Sequence, residues 1–182
     1  MNFLLFHGTG GNPNEAWFPW LKAKLHKRGH NVIVPSFPTP IGQTLENWLE
    51  VARDYQPLFD ENLVLIGRSA GAAFVPSLLE EIRPKKPVKA AFLVAGFCSD
   101  LRLPAFKLVL KTFVDKRFDW PLIKSRCRRF FVFQSDNDPY VKIKYGEELA
   151  KNLGVEMRLF HNASHFWDST FPPILEEIEK LE

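Results

Sequence analysis

The 182-residue chain is long enough for one full hydrophobic core and too short for two, so we expect a single domain over residues 1–182. Its composition, 46% hydrophobic and 25% charged with a formal net charge of +3, excludes a disordered chain. No apolar run approaches the ~20 residues of a membrane span, and the opening residues lack the basic start of a signal peptide. We expect a cytoplasmic protein that does not insert stably into membranes.

The positive charge is concentrated between residues 102 and 129, where nine Lys or Arg accompany only two Asp. Such a segment can attract an anionic substrate, a phospholipid headgroup or nucleic acid. A solvated face whose long side chains lie over apolar surface is the more common outcome. Nothing else in the sequence is typical of a nucleic-acid-binding module, so we expect no nucleic-acid partner. Composition does not predict the oligomeric state.

Two cysteines, Cys98 and Cys127, are too few for a disulfide framework and do not have the spacing of a zinc site. They are typical of a protein from a reducing compartment.

Six short apolar runs, each bounded by turn residues, recur along the chain. Most are continuous rather than alternating, as expected for strands buried on both faces of a parallel sheet. These predicted strands cover residues 3–6, 32–35, 63–66, 90–95, 130–134 and 157–160.

Apolar residues at helical spacing lie between several of the predicted strands. This alternation predicts an α/β fold: a three-layer α/β/α sandwich around a mostly parallel six-stranded sheet with right-handed crossovers. Residues 97–127 are too many for a single crossover helix, and we expect a partial lid-like insertion of one or two helices there. The three apolar stripes are Trp17, Leu21 and Leu25; Leu45, Trp48, Leu49 and Ala52; and Ile174, Leu175, Ile178 and Leu181.

The third predicted strand runs directly into Gly67-Arg68-Ser69-Ala70-Gly71, a G-x-S-x-G motif with a helical pattern after it. In this context the motif forms a strained turn that lifts the serine hydroxyl above the strand ends, at the positive end of the following helix. Ser69 is therefore the candidate nucleophile. The alternative interpretation is an ordinary glycine-flanked serine in a tight turn.

A serine hydroxyl needs a base to remove its proton, and the chain has five histidines. His165 lies in a loop after the sixth predicted strand, long enough to reach back over the sheet, and it is the preferred candidate. His161, directly after the same strand, is the alternative and can instead pack at the sheet edge. His26 and His30, near the end of the first predicted helix, are expected to face solvent.

The base in turn needs a carboxylate to orient it. Asp138, before a proline in the turn after the fifth predicted strand, is the preferred candidate. Asp136 in the same turn is the runner-up, and Asp100 after the fourth predicted strand is a third possibility. Each can instead serve only its own turn. The chain order of serine, aspartate and histidine is that of α/β-hydrolases rather than of other serine enzymes.

An oxyanion site needs two N–H donors, and we expect one from Ala70 and one from the glycine-rich loop after the first predicted strand. In that loop Thr9 is the first choice and Gly10 the second, while His7 is expected to be structural. The loop lacks the G-x-G-x-x-G spacing and the lysine of phosphate-binding loops, so a phosphate site is a weak alternative.

Several of these motifs occur together in one known family. The His7–Pro13 loop, the tryptophan-rich stretch at residues 17–21, the Ser69 motif, and the turns at residues 138–141 and 165–166 resemble the small α/β-hydrolases that include retinoblastoma-binding protein nine and its bacterial relatives. The resemblance spans nearly the whole chain. It implies a minimal hydrolase fold without a large cap, with Ser69, Asp138 and His165 as the triad. Arg68 stands where many hydrolase elbows carry His, so we expect a fixed positive charge beside the nucleophile.

These residues predict a serine hydrolase that cleaves a small carboxylic ester, thioester or activated amide through an acyl-enzyme intermediate, with no metal or organic cofactor. Gly10 and Arg68 are expected to contact the acyl substrate, and aromatic rings of residues 97–127 are expected to form an acyl-binding wall. The alternatives are a protein-interaction module that retains the hydrolase fold, and an acyltransferase that uses the same three residues.

Overall fold

A computed structural model describes all 182 residues. Six strands form one sheet in the order β2-β1-β3-β4-β5-β6, and every neighbouring pair is parallel. The expected mostly parallel sheet is thus confirmed, with no antiparallel strand. The strands are β1 Asn2–Phe6, β2 Asn31–Ile33, β3 Leu63–Arg68, β4 Ala90–Val94, β5 Phe130–Ser135 and β6 Met157–Phe160.

Seven α-helices connect and cover the strands. Between α2 and β3, and just before α4, the chain forms short 3-10 turns at Gln56–Leu58 and Pro104–Phe106. No helix has both the length and the apolar character needed to cross a membrane. The helices are α1 Phe18–His26, α2 Leu45–Arg53, α3 Ala70–Glu81, α4 Lys107–Val114, α5 Trp120–Ser125, α6 Ile143–Leu153 and α7 Pro172–Glu179.

Alternate residues along each strand divide the core into two clusters, one on each face of the sheet. Leu4, Leu65 and Leu93 pack with residues of α2 to α6. Leu5 and Ile66 face the other side and pack with α1 and α7. The three layers predicted from the strand–helix alternation are therefore confirmed. All six residues of the central strand β3 are buried, which explains its continuous apolar run.

Helix ends follow local signals in the sequence. The side chain of Thr44 accepts a hydrogen bond from Asn47 N at the start of α2. The first helix ends at His26, three residues before Gly29, whose φ is +77°. His30 is partly buried rather than solvent-facing, because its ring packs against Phe3 and its Nε2 contacts Glu182 at 2.7 Å.

Residues 97–127 contain the 3-10 turn at Pro104–Phe106 and helices α4 and α5. The side-chain Nη1 of Arg126 contacts the last carbonyls of α3, at Leu79 and Glu80, each at 2.6 Å. Lys116 forms an ion pair with Glu80 at 2.5 Å. Part of the basic segment therefore stabilises the fold, while seven of its nine basic residues are exposed: Arg102, Lys107, Lys111, Arg117, Lys124, Arg128 and Arg129.

Candidate active site

Ser69 lies between the last residue of β3 and the first residue of α3. Its φ of 56° and ψ of −120° place it in a conformation that L-residues rarely adopt. The surrounding backbone holds it there, since Ser69 N–H donates to Val94 O at 2.9 Å and Ser69 O accepts from Ala72 N and Ala73 N. The turn leaves Ser69 at the carboxyl end of the sheet, beside the N-terminus of α3.

The two glycines of the motif are required by close backbone contacts. A Cβ added to Gly71 would lie 2.0 Å from Phe6 O, and one added to Gly67 would lie 2.4 Å from Gly71 O. Any side chain at these positions would push α3 away from β1 or distort the turn that carries Ser69. These contacts explain why the motif has glycine at both positions.

His165 is oriented by a buried carboxylate. Its Nδ1 lies 2.7 Å from Asp138 Oδ2, and the two side chains are 5% and 0% exposed. The other oxygen, Asp138 Oδ1, accepts from Tyr140 N at 2.8 Å and Val141 N at 3.0 Å. Because a carboxylate accepts, His165 Nδ1 carries the hydrogen, which leaves Nε2 with its lone pair free.

The loop that carries His165 is attached to the turn after β5 by three side-chain acceptors in consecutive positions, residues 135–137. Each accepts one N–H of residues 162–164, so the turn and the loop are held together by both side-chain and backbone groups. The bonds are Ala163 N to Ser135 Oγ at 3.1 Å, Asn162 N to Asp136 Oδ1 at 2.9 Å and Ser164 N to Asn137 Oδ1 at 2.7 Å.

The same loop has alternating left-handed residues. Asn162, Ser164 and Phe166 have φ values of 57°, 50° and 56°. Asn tolerates this region, whereas Ser and Phe adopt it at a cost of ~1–2 kcal/mol each. The bonds from residues 135–137 and the burial of Phe166 compensate for this strain.

The alternative base and the alternative acid pair with each other. His161 Nδ1 lies 2.6 Å from Asp136 Oδ2, and the His161 side chain is 77% exposed. Backbone donation from Asn162 and the hydrogen bond with His161 hold the pKa of Asp136 below its ordinary value. Asp100 Oδ1 accepts from Arg102 N within its own turn. None of the three lines the cavity that contains Ser69.

Ser69 and His165 line one cavity of about 200 Å³. No hydrogen bond joins Ser69 Oγ to His165 Nε2. One wall is made of apolar residues from the segment at 97–127, and Tyr140 and Trp167 stand at the exposed side. The remaining lining residues are Gly8, Thr9, Arg68, Leu101, Leu103, Phe106 and Leu110.

The loop after β1 leaves one N–H free beside this cavity. Gly8 N donates to Glu15 Oε1 at 3.0 Å, and Gly10 N donates to Thr39 Oγ1 at 2.6 Å. Thr9 N donates to no protein acceptor. Ala70 is the first residue of α3, so its N–H has no partner within that helix. Gly10 is exposed and does not line the cavity, although the sequence suggested it as a substrate contact.

His7 fixes the loop from inside the core. Its Nε2 accepts from Phe37 N at 3.0 Å, so Nδ1 must carry the hydrogen that it donates to Gly8 O, also at 3.0 Å. Burial is the main cause of its lowered pKa, because desolvation penalises the charged imidazolium. His7 is thus a neutral, structural residue.

The charge of Arg68 is compensated within the protein. Its side chain is 1% exposed, and Nε donates at 2.9 Å to Glu15 Oε1, which is also buried. Nη1 donates to His165 O at 3.1 Å, and the guanidinium lies 3.9 Å from the centroid of the Trp167 ring. The sequence predicted a fixed positive charge next to Ser69; the structure adds an adjacent negative charge that sequence reasoning missed. A charged residue ending an otherwise apolar strand was the available signal, because a buried charge needs a partner.

A family model described as serine hydrolase matches residues 3–179 of the chain. The chain belongs to the serine hydrolase family. YdeN of Bacillus subtilis (strain 168) is 27% identical over 177 residues, which cover 96% of this chain and 92% of YdeN. Serine hydrolase RBBP9 of Rattus norvegicus is 24% identical over 176 residues, which cover 96% of this chain and 91% of that protein. The resemblance drawn from the sequence motifs is confirmed.

Solved structures confirm the fold. The crystal structure of the ydeN gene product from B. subtilis superposes with a TM-score of 0.92 at 24% identity, covering 99% of this chain and 97% of that chain. Est1E from Butyrivibrio proteoclasticus superposes with a TM-score of 0.72 at 15% identity, covering 98% and 85%. This serine hydrolase therefore has the α/β-hydrolase fold that the resemblance of its motifs implied.

Proposed function

We propose that this serine hydrolase cleaves small carboxylic esters, or the related thioesters and activated amides, with Ser69 as nucleophile, His165 as base and Asp138 as the acid that orients it. The observation that carries the proposal is the buried His165–Asp138 pair at 2.7 Å, whose His165 lines one cavity together with the strained Ser69. Because the hydrogen is on Nδ1, the lone pair of Nε2 is free to accept a proton, as a general base must.

In the acylation step Ser69 Oγ attacks the carbonyl carbon, and its proton passes to His165 Nε2. The carbonyl electron pair moves onto oxygen, where the N–H groups of Thr9 and Ala70 stabilise it by about 3–4 kcal/mol per donor. The tetrahedral intermediate collapses, the bond to the leaving alcohol breaks, and the proton on His165 transfers to that alcohol. Water then repeats the sequence on the acyl-enzyme and releases the carboxylic acid.

The apolar wall supports an acyl substrate. Leu101, Leu103, Phe106 and Leu110 line the cavity with Ser69 and also line an adjoining cavity of about 290 Å³. This wall belongs to the segment at 97–127, the expected lid-like insertion. A short or medium acyl chain can lie along it, while each methylene that it buries stabilises binding by ~0.8 kcal/mol.

The pairing of Arg68 with Glu15 favours neutral substrates. Since the guanidinium charge is compensated at 2.9 Å, an anionic acyl group gains little attraction there and loses its hydration on entering the apolar cavity. Direct contact of Arg68 or Gly10 with substrate stays a prediction.

A fluorophosphonate probe and a panel of neutral and anionic p-nitrophenyl esters of increasing chain length test the proposal. We expect wild-type protein to react with the probe and to hydrolyse the neutral esters faster than the anionic ones. Ser69→Ala should lose both activities on the order of 10⁴-fold or more. Ser36→Ala serves as the control, because Ser36 is an exposed serine that does not line the cavity.

A folded wild-type protein that neither reacts with the probe nor hydrolyses any ester would contradict the proposal and favour the partner-binding alternative. Transfer of the acyl group to an added alcohol in preference to water would instead identify an acyltransferase.

A further inference from the structure

The Arg68–Glu15 pair is more buried than any other pair of a Lys or Arg with a carboxylate in the protein. Its side chains are 1% and 6% exposed, compared with 24% and 11% for the next, Lys116–Glu80. A buried ion pair is expensive to desolvate, and well-packed apolar residues of similar volume are often as stable. Stability alone is therefore a poor reason for charges at this place.

The pair joins three segments that are far apart in the sequence. Glu15 Oε1 accepts from both Arg68 Nε at 2.9 Å and Gly8 N at 3.0 Å. Arg68 Nη1 donates to His165 O at 3.1 Å. One carboxylate oxygen and one guanidinium thus connect the loop of Thr9, the turn of Ser69 and the loop of His165. These are the three segments that carry the proposed oxyanion donor, nucleophile and base.

The guanidinium is held on its flat face as well as at its edge. The Trp167 ring lies 3.9 Å from Arg68 Cζ and 5.5 Å, centroid to centroid, from the His165 ring. A planar group with several fixed N–H donors suits this position, whereas a lysine ammonium at the end of a flexible chain does not.

The second oxygen of Glu15 shows that the loop is built around this carboxylate. Glu15 Oε2 is buried without a hydrogen-bond partner, which is costly. A Cβ added to Gly11 would lie 1.9 Å from it, so only glycine lets the loop close around the carboxylate. The protein tolerates an unsatisfied oxygen in order to place Oε1 between Gly8 and Arg68.

We infer that Arg68 and Glu15 are positioning residues for the hydrolytic reaction, a role that rests on the proposed function. Glu15 fixes the His7–Gly8 peptide through Gly8 N–H, and so orients the next peptide unit, whose Thr9 N–H faces the cavity. Arg68 fixes the backbone of His165, and with it the height of the imidazole above Ser69. Neither residue touches the reacting atoms, so their removal impairs the transition state more than the binding of substrate.

Glu15→Gln and Arg68→Lys test the inference by steady-state kinetics on the best ester of the panel. The first keeps the shape and removes the charge, and the second keeps the charge and removes the planar donors. We expect kcat to fall by ~10–100-fold in each with KM changed less than about threefold. In the double variant kcat should fall no further than in the more impaired single variant, because the two side chains act as one unit.

Glu80→Gln is the matched control, since it makes the same substitution in the Lys116–Glu80 pair away from the cavity. It should leave kcat and KM unchanged. Circular dichroism and thermal unfolding identify variants that are folded at the assay temperature, and if Arg68→Lys does not fold, Glu15→Gln decides alone.

Folded Glu15→Gln protein with wild-type kcat would overturn the inference. A rise in KM at constant kcat would also overturn it, because it would make the pair a substrate-binding element. These outcomes are separate from failure of the proposed function, in which the wild-type protein itself shows no probe labelling and no ester hydrolysis.

Discussion

Two aspartates in one turn, Asp136 and Asp138, have different partners. Asp138 is buried with the His165 imidazole, while Asp136 pairs with the exposed His161 and with Asn162 N. The difference follows from the loop after β6, whose residues 161 and 162 lie at the surface and whose residue 165 lies inside.

Asp138→Asn and Asp136→Asn form a matched pair of substitutions. In the first, the amide no longer fixes the His165 tautomer or stabilises the imidazolium, and we expect kcat to fall on the order of 10³–10⁴-fold. In the second, the amide oxygen can still accept from Asn162 N, and kcat should stay within about tenfold of wild type. Ester hydrolysis measures both. Equal losses in the two variants would contradict the assignment of Asp138.

For individual residues, the sequence predicted the candidate nucleophile, base and acid, but not every side chain that pairs with the residues around them. Ser69 was recognisable from the G-x-S-x-G motif, whose glycines are required by backbone contacts close to the turn. Loop length favoured His165 over His161. Glu15 was not recognisable, because its contact with Arg68 joins residues 53 positions apart and depends on how the first loop folds over the third strand.

The C-terminal end of α3 shows one structural role of the basic segment at residues 102–129. Arg126 Nη1 lies within hydrogen-bonding distance of three carbonyls there, at Leu79, Glu80 and Ile82. These carbonyls have no partner inside their own helix, and a cation also interacts favourably with the negative end of the helix dipole.

Arg126→Met should therefore lower the free energy of unfolding by about 1–3 kcal/mol, since it leaves these carbonyls without their charged donor. Arg128→Met, an exposed neighbour without a side-chain hydrogen bond, should change it by less than about 0.5 kcal/mol. Urea unfolding followed by circular dichroism gives both values. A larger effect at Arg128 than at Arg126 would refute the capping role.

The central strands β3 and β4 were predictable because continuous apolar runs directly reflect burial on two faces. The edge strand β2 was predicted less well: it covers Asn31–Ile33 rather than residues 32–35, and its outer residues are not buried. Helix α6 was harder to predict, since Lys and Glu alternate with its buried face and a glycine lies near its middle. The path of residues 97–127 was also unpredictable in detail, because α4 and α5 are short and bury only Leu110, Phe113 and Ile123.

For the molecule as a whole, His7 links the stability of the fold to pH. Burial lowers its pKa from the ordinary value of 6.5, so the unfolded chain binds a proton at a higher pH than the folded protein does. Stability from this residue is complete above pH 6.5 and is lost progressively as the pH falls from there towards the folded-state pKa. Three carboxyl groups also have lowered pKa values. Their ordinary pKa values are 3.8 for Asp136 and 4.5 for Glu61 and Glu182, so they change the free energy of unfolding only in more acidic solution.

His7→Gln isolates this contribution, because a glutamine oxygen can accept from Phe37 N but does not titrate. Between about pH 7 and about pH 5 the wild-type free energy of unfolding should fall more steeply than that of the variant. Urea titrations at several pH values measure the two slopes. Parallel slopes would show that His7 is not the group responsible.

The left-handed residues of the loop after β6 oppose two requirements, a high free energy of unfolding and fast turnover. Glycine at position 164 would remove a steric penalty, so selection for robustness alone favours it. The same change would widen the range of shapes open to the segment that carries the imidazole. A lineage under pressure for turnover is expected to keep the strained serine, and one that has abandoned catalysis is free to relax it.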